Sequence, residues 1–240
     1  MTSRLWSVEF DANDPVRLAR FWAAALGWAF EEEQDEGYCS IAGGEGTVRR
    51  LGFASVPSEK RSPNWMHFDL GSTSIEHQRA TADRLVGLGA RRIDIGQGPD
   101  AGHFVLADPE GNEFCILEPG NKFVDYGGLL GSLTCDGTSA AGYFWSEVLG
   151  WPLVWDQHGE TAIRAREGGQ FITFGGPPAP KHKKNRLHID VAPPSDGDQR
   201  TEVDRLISLG ATRIDIGQGD VSWVVMADPD GNEFCVLTAR

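Results

Sequence analysis

The residues best suited to chemistry in this 240-residue chain come as two matched sets. His67 and Asp69 stand two apart in one short apolar stretch, and His188 and Asp190 stand two apart in another. Each set is followed by a Glu-Phe-Cys run that supplies Glu113 and Cys115, then Glu233 and Cys235. Imidazole exchanges a proton near neutral pH and ligates metals. A carboxylate in apolar surroundings is pushed up in pKa and can serve as an acid or a base. Thiolate binds zinc well and suits magnesium or manganese poorly. The candidate acid-base groups are therefore His67, Glu113, His188 and Glu233, with the two aspartates and two cysteines beside them.

Each group also has a plainer reading. A half-buried histidine satisfies itself against a neighbouring carboxylate such as Asp69 or Asp190, or a backbone carbonyl. Free cysteine is a small, readily buried side chain, and the nearby Glu113 and Glu233 oppose thiolate formation. The four cysteines show no framework spacing, and free thiols are expected. A metal-free pairing of the histidines is the preferred reading; zinc, iron or manganese on His67 and Cys115 with a rescuing Glu9 or Glu113, or on His188 and Cys235 with a nearby Glu, is the alternative.

The matched sets belong to a duplication. ADPEGNEFCIL (107–117) returns as ADPDGNEFCVL (227–237), RIDIGQG (92–98) returns at 213–219, and LGW (26–28) returns at 149–151. Order and spacing hold throughout, and the period is far longer than a solenoid unit. The stretch EPGNKFVDYGG (118–128), with its Pro, Gly and Asn, marks the junction near Gly120 to Gly128, which gives domains 1–121 and 122–240. RIDIGQG lacks the spacing of a dinucleotide fingerprint, and the KHKK run (181–184) reads as a solvated loop.

The elements that must position these groups follow from periodicity. Asp14-Pro15 opens a helix whose Leu18, Phe21, Trp22, Ala25 and Leu26 recur at helical spacing, and Gly27 ends it. Asp108-Pro-Glu-Gly111 has the chemistry of a type I turn, predicting a hairpin of 104–107 with 113–117. Alternation puts Met66, Phe68 and Leu70 on a helix-packed face, leaving His67 and Asp69 on the other. Phe114 and Ile116 oppose Glu113 and Cys115 in the same way. In the first strand Trp6, Val8 and Phe10 pack inward while Ser7 and Glu9 face the opening; in its counterpart Leu130 and Ser132 face it. Phe53, Trp65, Phe104, Phe174 and Trp223 lie on or beside these strands as candidate walls of an apolar cavity. Each half reads as two strand-helix-strand-strand-strand units, an α+β class.

A helix ending in LGW, an H-x-D strand, a helix ending in LGA and a closing DP[ED]GNEFC strand together resemble the vicinal oxygen chelate superfamily, in its glyoxalase, bleomycin-resistance and extradiol dioxygenase group. The resemblance spans both halves. It implies two tandem glyoxalase-like domains of paired βαβββ units, each forming an open curved sheet, or cup. In metal-using members the ligands are a His on the first strand, a His opening the second unit and a Glu four residues after the turn glycine. Here those positions fall at Ser7 and Leu130, at His67 and His188, and at Cys115 and Cys235, so only the histidine survives.

Function is bounded by charge as well. With 22 Lys and Arg against 35 Asp and Glu, the net charge of -13 repels nucleic acid and anionic membranes. No apolar run approaches a membrane span and no secretory pattern opens the chain, so a cytoplasmic location is expected. The favoured reading is a binding protein that holds an apolar or aromatic small molecule in the cup. Ser7, Glu9, Phe53, Trp65, His67, Asp69, Phe104, Glu113, Cys115, Ser132, Phe174, His188, Asp190, Trp223, Glu233 and Cys235 are its candidate contacts, with no metal cofactor favoured. The alternative is an enzyme, a lyase, isomerase or dioxygenase, with a nonstandard His/Cys/Glu metal site or a metal-free His/Glu pair. Because one chain supplies both halves, a monomer is the simplest expectation, with a homodimer as the other.

Overall fold

The computed structural model describes residues 2–31, 37–44, 46–57, 59–98, 100–176 and 184–240. Most of the KHKK run, residues 181–183, lies outside them; its last member, Lys184, pairs with Asp11 at 2.5 Å. No helix among the described residues is long and apolar enough to cross a membrane.

Four βαβββ units follow one another. The first holds β1 (Arg4–Ala12), α1 (Pro15–Leu26), β2 (Ala29–Glu31), β3 (Tyr38–Ala42) and β4 (Arg50–Ser55). The second holds β5 (Met66–Leu70), α2 (Ile75–Gly87), β6 (Arg91–Arg92), β7 (Phe104–Ala107) and β8 (Glu113–Ile116). The third holds β9 (Leu130–Asp136), α3 (Ser139–Leu149), β10 (Leu153–Gln157), β11 (Glu160–Arg164) and β12 (Phe171–Gly175). The fourth holds β13 (Leu187–Ala192), α4 (Gln199–Ser208), β14 (Thr212–Arg213), β15 (Val224–Ala227) and β16 (Glu233–Val236).

Local chemistry fixes the boundaries as the sequence suggests. The Asp14 side chain accepts from the Arg17 backbone N–H, Pro15 starts the helix, and Gly27 ends it at a φ of 71°, a left-handed conformation that disfavours other residues. In the β7–β8 hairpin, Gly111 N–H donates to the Asp108 carbonyl at 3.0 Å, closing the turn.

The units join into two open eight-stranded mixed sheets. The first runs β14-β15-β16-β13-β1-β4-β3-β2 and the second β10-β11-β12-β9-β5-β8-β7-β6. The α+β class and the tandem βαβββ architecture are as expected, but the partners within each sheet cross the repeat boundary. Unit one is hydrogen-bonded to unit four through β1 and β13, and unit two to unit three through β5 and β9, both antiparallel. Strand alternation determines which face a side chain takes, but says nothing about which strand lies alongside.

One core serves both sheets. Trp22 of α1 lies 6.0 Å from Phe10 in the first sheet, and 5.1 and 5.2 Å from Phe68 and Phe114 in the second. Its indole N–H donates to Asp108, and Trp145 of α3 does the same to Asp228. Removing so large a buried ring costs about 3–5 kcal/mol. Val8, Phe10, Met66, Phe68, Phe114 and Ile116 all face this core as alternation requires. Trp6 does not; it is 38% exposed, because the β1–β13 register shifts between Leu5 and Ser7 and the bulge turns its ring outward.

Candidate functional site

Residues directly opposite on neighbouring strands share a face, so the register reads out each open surface. Across the first sheet one row runs Glu31, Ser40, Gly52, Glu9, His188, and the next Ser7, Asp190, Cys235, Val225. Across the second sheet the equivalent rows are Trp155, Ala162, Thr173, Thr134, His67, and Arg164, Phe171, Ser132, Asp69, Cys115, Val105. The two faces thus share Ser, His, Asp, Cys and Val, and differ elsewhere.

The shared group is compact. His67, Asp69 and Cys115 offer donor atoms all within 4.8 Å of one another, as do His188, Asp190 and Cys235. The His67 Nε2 to Asp69 Oδ1 distance is 3.4 Å, and the His188 to Asp190 distance is 3.3 Å. Burial works against the imidazolium, yet hydrogen bonds to Asp69 and Cys115 outweigh it and lift His67 to about 10. His188 is also held well above its ordinary value, with burial opposed by Cys235 and Asp190. Both thiols are pushed up, by burial first, against the pull of the neighbouring histidine. Each face therefore sets a histidine whose pKa is lifted by its neighbours beside an aspartate and a thiol whose pKa is pushed up by burial.

Glu9 sets the first face apart. It is only 6% exposed; Ser7 Oγ donates to it at 2.6 Å, and the Tyr38 hydroxyl lies 3.5 Å away. A Cβ on Gly52 would sit 1.9 Å from Glu9 Oε2, so the glycine is what leaves room for the carboxyl. Burial, then Asp190, raises Glu9 to about 7 against the pull of Ser7, His188 and Arg50. In the second sheet Thr134 and Thr173 fill the same two positions and bond to each other at 3.0 Å. Thr134 also donates to Asp69 at 2.5 Å, and Ser132 reaches the same oxygen at 3.4 Å.

The second face is aromatic at its outer end. Phe123, from the segment between the halves, meets Trp155 and Phe171 edge-on at 5.6 and 6.2 Å. Lys122 Nζ lies 3.5 Å from the Trp155 ring centroid, and the Arg164 guanidinium is 4.4 Å from that of Phe171. The Trp155 indole N–H is buried without a hydrogen-bond partner. The corresponding strand positions on the first face are Glu31, ion-paired with Arg50 at 2.7 Å, and Arg50 itself.

These placements sort the expected site residues. Ser7 and Glu9 join His188, Asp190 and Cys235, while Ser132 joins His67, Asp69 and Cys115. Glu9 is consequently no rescuing ligand for His67 and Cys115, because the strand that carries it pairs with β13. The counterpart of Ser7 is Ser132 and not Leu130, which a second bulge between Asp69 and Leu70 turns into the core. Phe53 and Phe174 also belong to the core, Phe53 stacking on Phe10 at 5.0 Å. Trp65 is buried and donates to the Leu187 carbonyl. Phe104 packs against the core beside Arg92, and Trp223 is 40% exposed.

Glu113 takes the Lys60 ammonium at 2.6 Å and the Asn64 backbone N–H, and Glu233 takes the Asn185 N–H, so each clamps the loop leading into its histidine strand. Sequence alone gives no signal for Gly52, Thr134, Thr173, Phe123 or Trp155, since their importance lies in cross-strand register.

The donor chemistry fits a divalent metal of the kind that the resemblance implies. Imidazole nitrogen, thiolate sulfur and carboxylate oxygen are together a zinc-type set. Asp69 Oδ1 and Asp190 Oδ1 are buried and face the histidine Nε2 atoms at long contacts of 3.4 and 3.3 Å, and His188 Nδ1 is buried without a hydrogen-bond partner.

Comparison with known proteins agrees with this construction. A family model described as a glyoxalase-like domain matches residues 7–117 and again 132–237. Glyoxalase I from Zea mays superposes with a TM-score of 0.66 at 14% identity, over 99% of this chain and 92% of that one. A putative dioxygenase from Bacillus subtilis subsp. subtilis str. 168 superposes with a TM-score of 0.63 at 14% identity, over 99% and 85%. At such identities the likeness establishes the fold alone. No curated protein matches the sequence. With its two matched repeats and four βαβββ units, the chain belongs to the glyoxalase-like family of the vicinal oxygen chelate superfamily, as a tandem of two such domains.

Proposed function

We propose that this protein binds a small organic molecule on its open faces, and that the face of the second sheet holds a planar aromatic one. The observation that carries this reading is the row from Trp155 through Thr173 and Thr134 to His67, walled by Phe123 and Phe171. Rings supply apolar contact, and the few polar groups fix orientation. Lys122, His67 with its pKa lifted to about 10, and the unpartnered Trp155 N–H favour a ligand that bears an anionic or acceptor group, Arg164 being committed to Asp125 at 2.7 Å.

A divalent metal, where bound, would be held by His67, Asp69 and Cys115 or by His188, Asp190 and Cys235, and would supply Lewis-acid polarisation of a ligand oxygen. The aromatic reading requires none.

The test is a calorimetric titration of the chelator-treated chain with 2-naphthoate. At about 0.3 kcal/mol per heavy atom, such a probe binds in the millimolar range or tighter. Binding should weaken about tenfold in Trp155→Leu and in Phe123→Ala, and be untouched in Glu9→Gln. Absence of binding, or equal binding by the Trp155 and Phe123 variants, would overturn the reading.

A further inference from the structure

We propose that the cleft where the first and third units meet is a site for a small aliphatic organic anion, headed by a phosphate or carboxylate and gripped by Arg4 and Arg49. The cleft encloses about 790 Å³, within the range of ligand pockets. Its walls come from the start of β1, the β3–β4 loop, the end of α3 and the β11–β12 loop, with Asp125 from the segment between the halves. Of the residues that form the rows of the two open faces it borrows only Arg164.

These walls are clasped together. Gln170 Oε1 accepts from the backbone N–H groups of Thr47 and Val48 at 2.8 and 3.1 Å, and its Nε2 donates to the Leu130 carbonyl at 3.3 Å. A Cβ on Gly169 would stand 2.9 Å from the Thr47 nitrogen, so the two loops meet backbone to backbone. The Ser3 N–H donates to the Val148 carbonyl at 3.0 Å, which ties the strand bearing Arg4 to α3. A cleft held in this way loses little freedom when a ligand enters.

Charge and shape select the ligand. Arg164 is committed to Asp125 at 2.7 Å and to the Gly169 carbonyl at 2.8 Å. Arg49 donates through Nε to the Gly46 carbonyl at 2.7 Å, which steadies the side chain and leaves its terminal nitrogens open. Neither Arg4 nor Arg49 has a carboxylate partner among the described residues, in a chain where 35 acidic residues face 22 basic ones. Guanidinium groups on one concave wall suit a phosphate or carboxylate, whose oxygens can take two N–H groups at once. The acid on this wall that is not ion-paired among the described residues is Glu167, which is exposed and opposes such a ligand. Leu149 is buried and Leu5 and Trp151 are half-buried on the same lining, which suits a short hydrocarbon body. This inference does not depend on the aromatic reading of the second face.

The experiment titrates the full chain calorimetrically with glycerol 3-phosphate at low ionic strength, with glycerol as the neutral control. The expected result is saturable binding in the millimolar range or tighter, weakened by added NaCl and absent for glycerol. Arg4→Gln and Arg49→Gln should each weaken it at least about fivefold. Glu167→Gln should tighten it about two- to threefold. Arg79→Gln, which removes the same charge from the exposed surface of α2, and Trp155→Leu, which alters the aromatic face, should leave it unchanged. Arg4 and Arg49 are both exposed, so their variants are expected to fold, and thermal melts check this. No saturable binding, equal binding of glycerol, or undiminished binding by the Arg4 and Arg49 variants would each overturn the proposal. So would an equal loss in Arg79→Gln, which would mean a diffuse charge effect, or a loss in Trp155→Leu alone, which would put the probe on the second face.

Discussion

Replacing Gly52 with alanine puts the register-based account of the first face under direct stress. The added Cβ would meet Glu9 at 1.9 Å from Oε2 and 2.4 Å from Cδ, distances that force the carboxyl to move. Glu9 is buried on the same surface and tied to Ser7, so the displacement has the character of overpacking, about 1–3 kcal/mol. Against that, alanine in place of a mid-strand glycine recovers about 0.5–1 kcal/mol. Gly52→Ala alone should therefore destabilise by about 1–2 kcal/mol. In a Glu9→Thr background, which copies Thr134 of the other sheet, the clash is gone and the same substitution should be neutral or slightly stabilising. The coupling read from the double-mutant cycle is then about 2 kcal/mol. Urea unfolding of the four proteins, followed by tryptophan fluorescence and far-UV circular dichroism, measures it. Equal costs in the two backgrounds would refute the claim that Gly52 exists to seat Glu9.

Other expectations follow from the same geometry. In chelator-treated protein Glu9 lies at about 7, above its ordinary 4.5. Its contribution to stability is therefore present below pH 4.5 and lost as pH rises through 7. Relative to wild type, Glu9→Gln should gain up to about 3 kcal/mol between pH 4.5 and 8, measured by urea midpoints; parallel pH curves would contradict this. Asp108 accepts from the backbone N–H of Glu110 and Asn112 and from the Trp22 indole, so Asp108→Ala should cost about 3–5 kcal/mol in chemical denaturation. A fragment of residues 1–121 leaves β1 and β5 without their antiparallel partners β13 and β9. By sedimentation it should self-associate, and adding residues 122–240 should restore the native species; a stable monomeric fragment would count against the crossed sheets.

Much of the fold was legible because each local signal acts over a few residues. Asp14-Pro15 and Gly27 bound α1, the Asp108–Gly111 turn closes its hairpin, and alternation separates Phe68 from His67 and Phe114 from Cys115. The duplication was legible for the same reason, since identical segments stand in identical order. What stayed hidden depends on pairing between distant strands. Glu9 alternates outward in the sequence, but only the antiparallel register with β13 brings it opposite His188. The bulges after Leu5 and at Gly131 shift one residue each, which moved Trp6 outward and Leu130 inward against a strict period of two. The aromatic wall has no local signature, because its members come from β10, β12 and the segment between the halves, none of which carries a motif.

The measurement that bears most directly on the proposed function is the naphthoate titration, run on wild type, Trp155→Leu and Glu9→Gln together. Saturable binding is expected, weakened about tenfold by the tryptophan substitution and left unchanged by the glutamate substitution. Binding lost with Glu9 and retained without Trp155 would place the ligand on the opposite face and contradict the account.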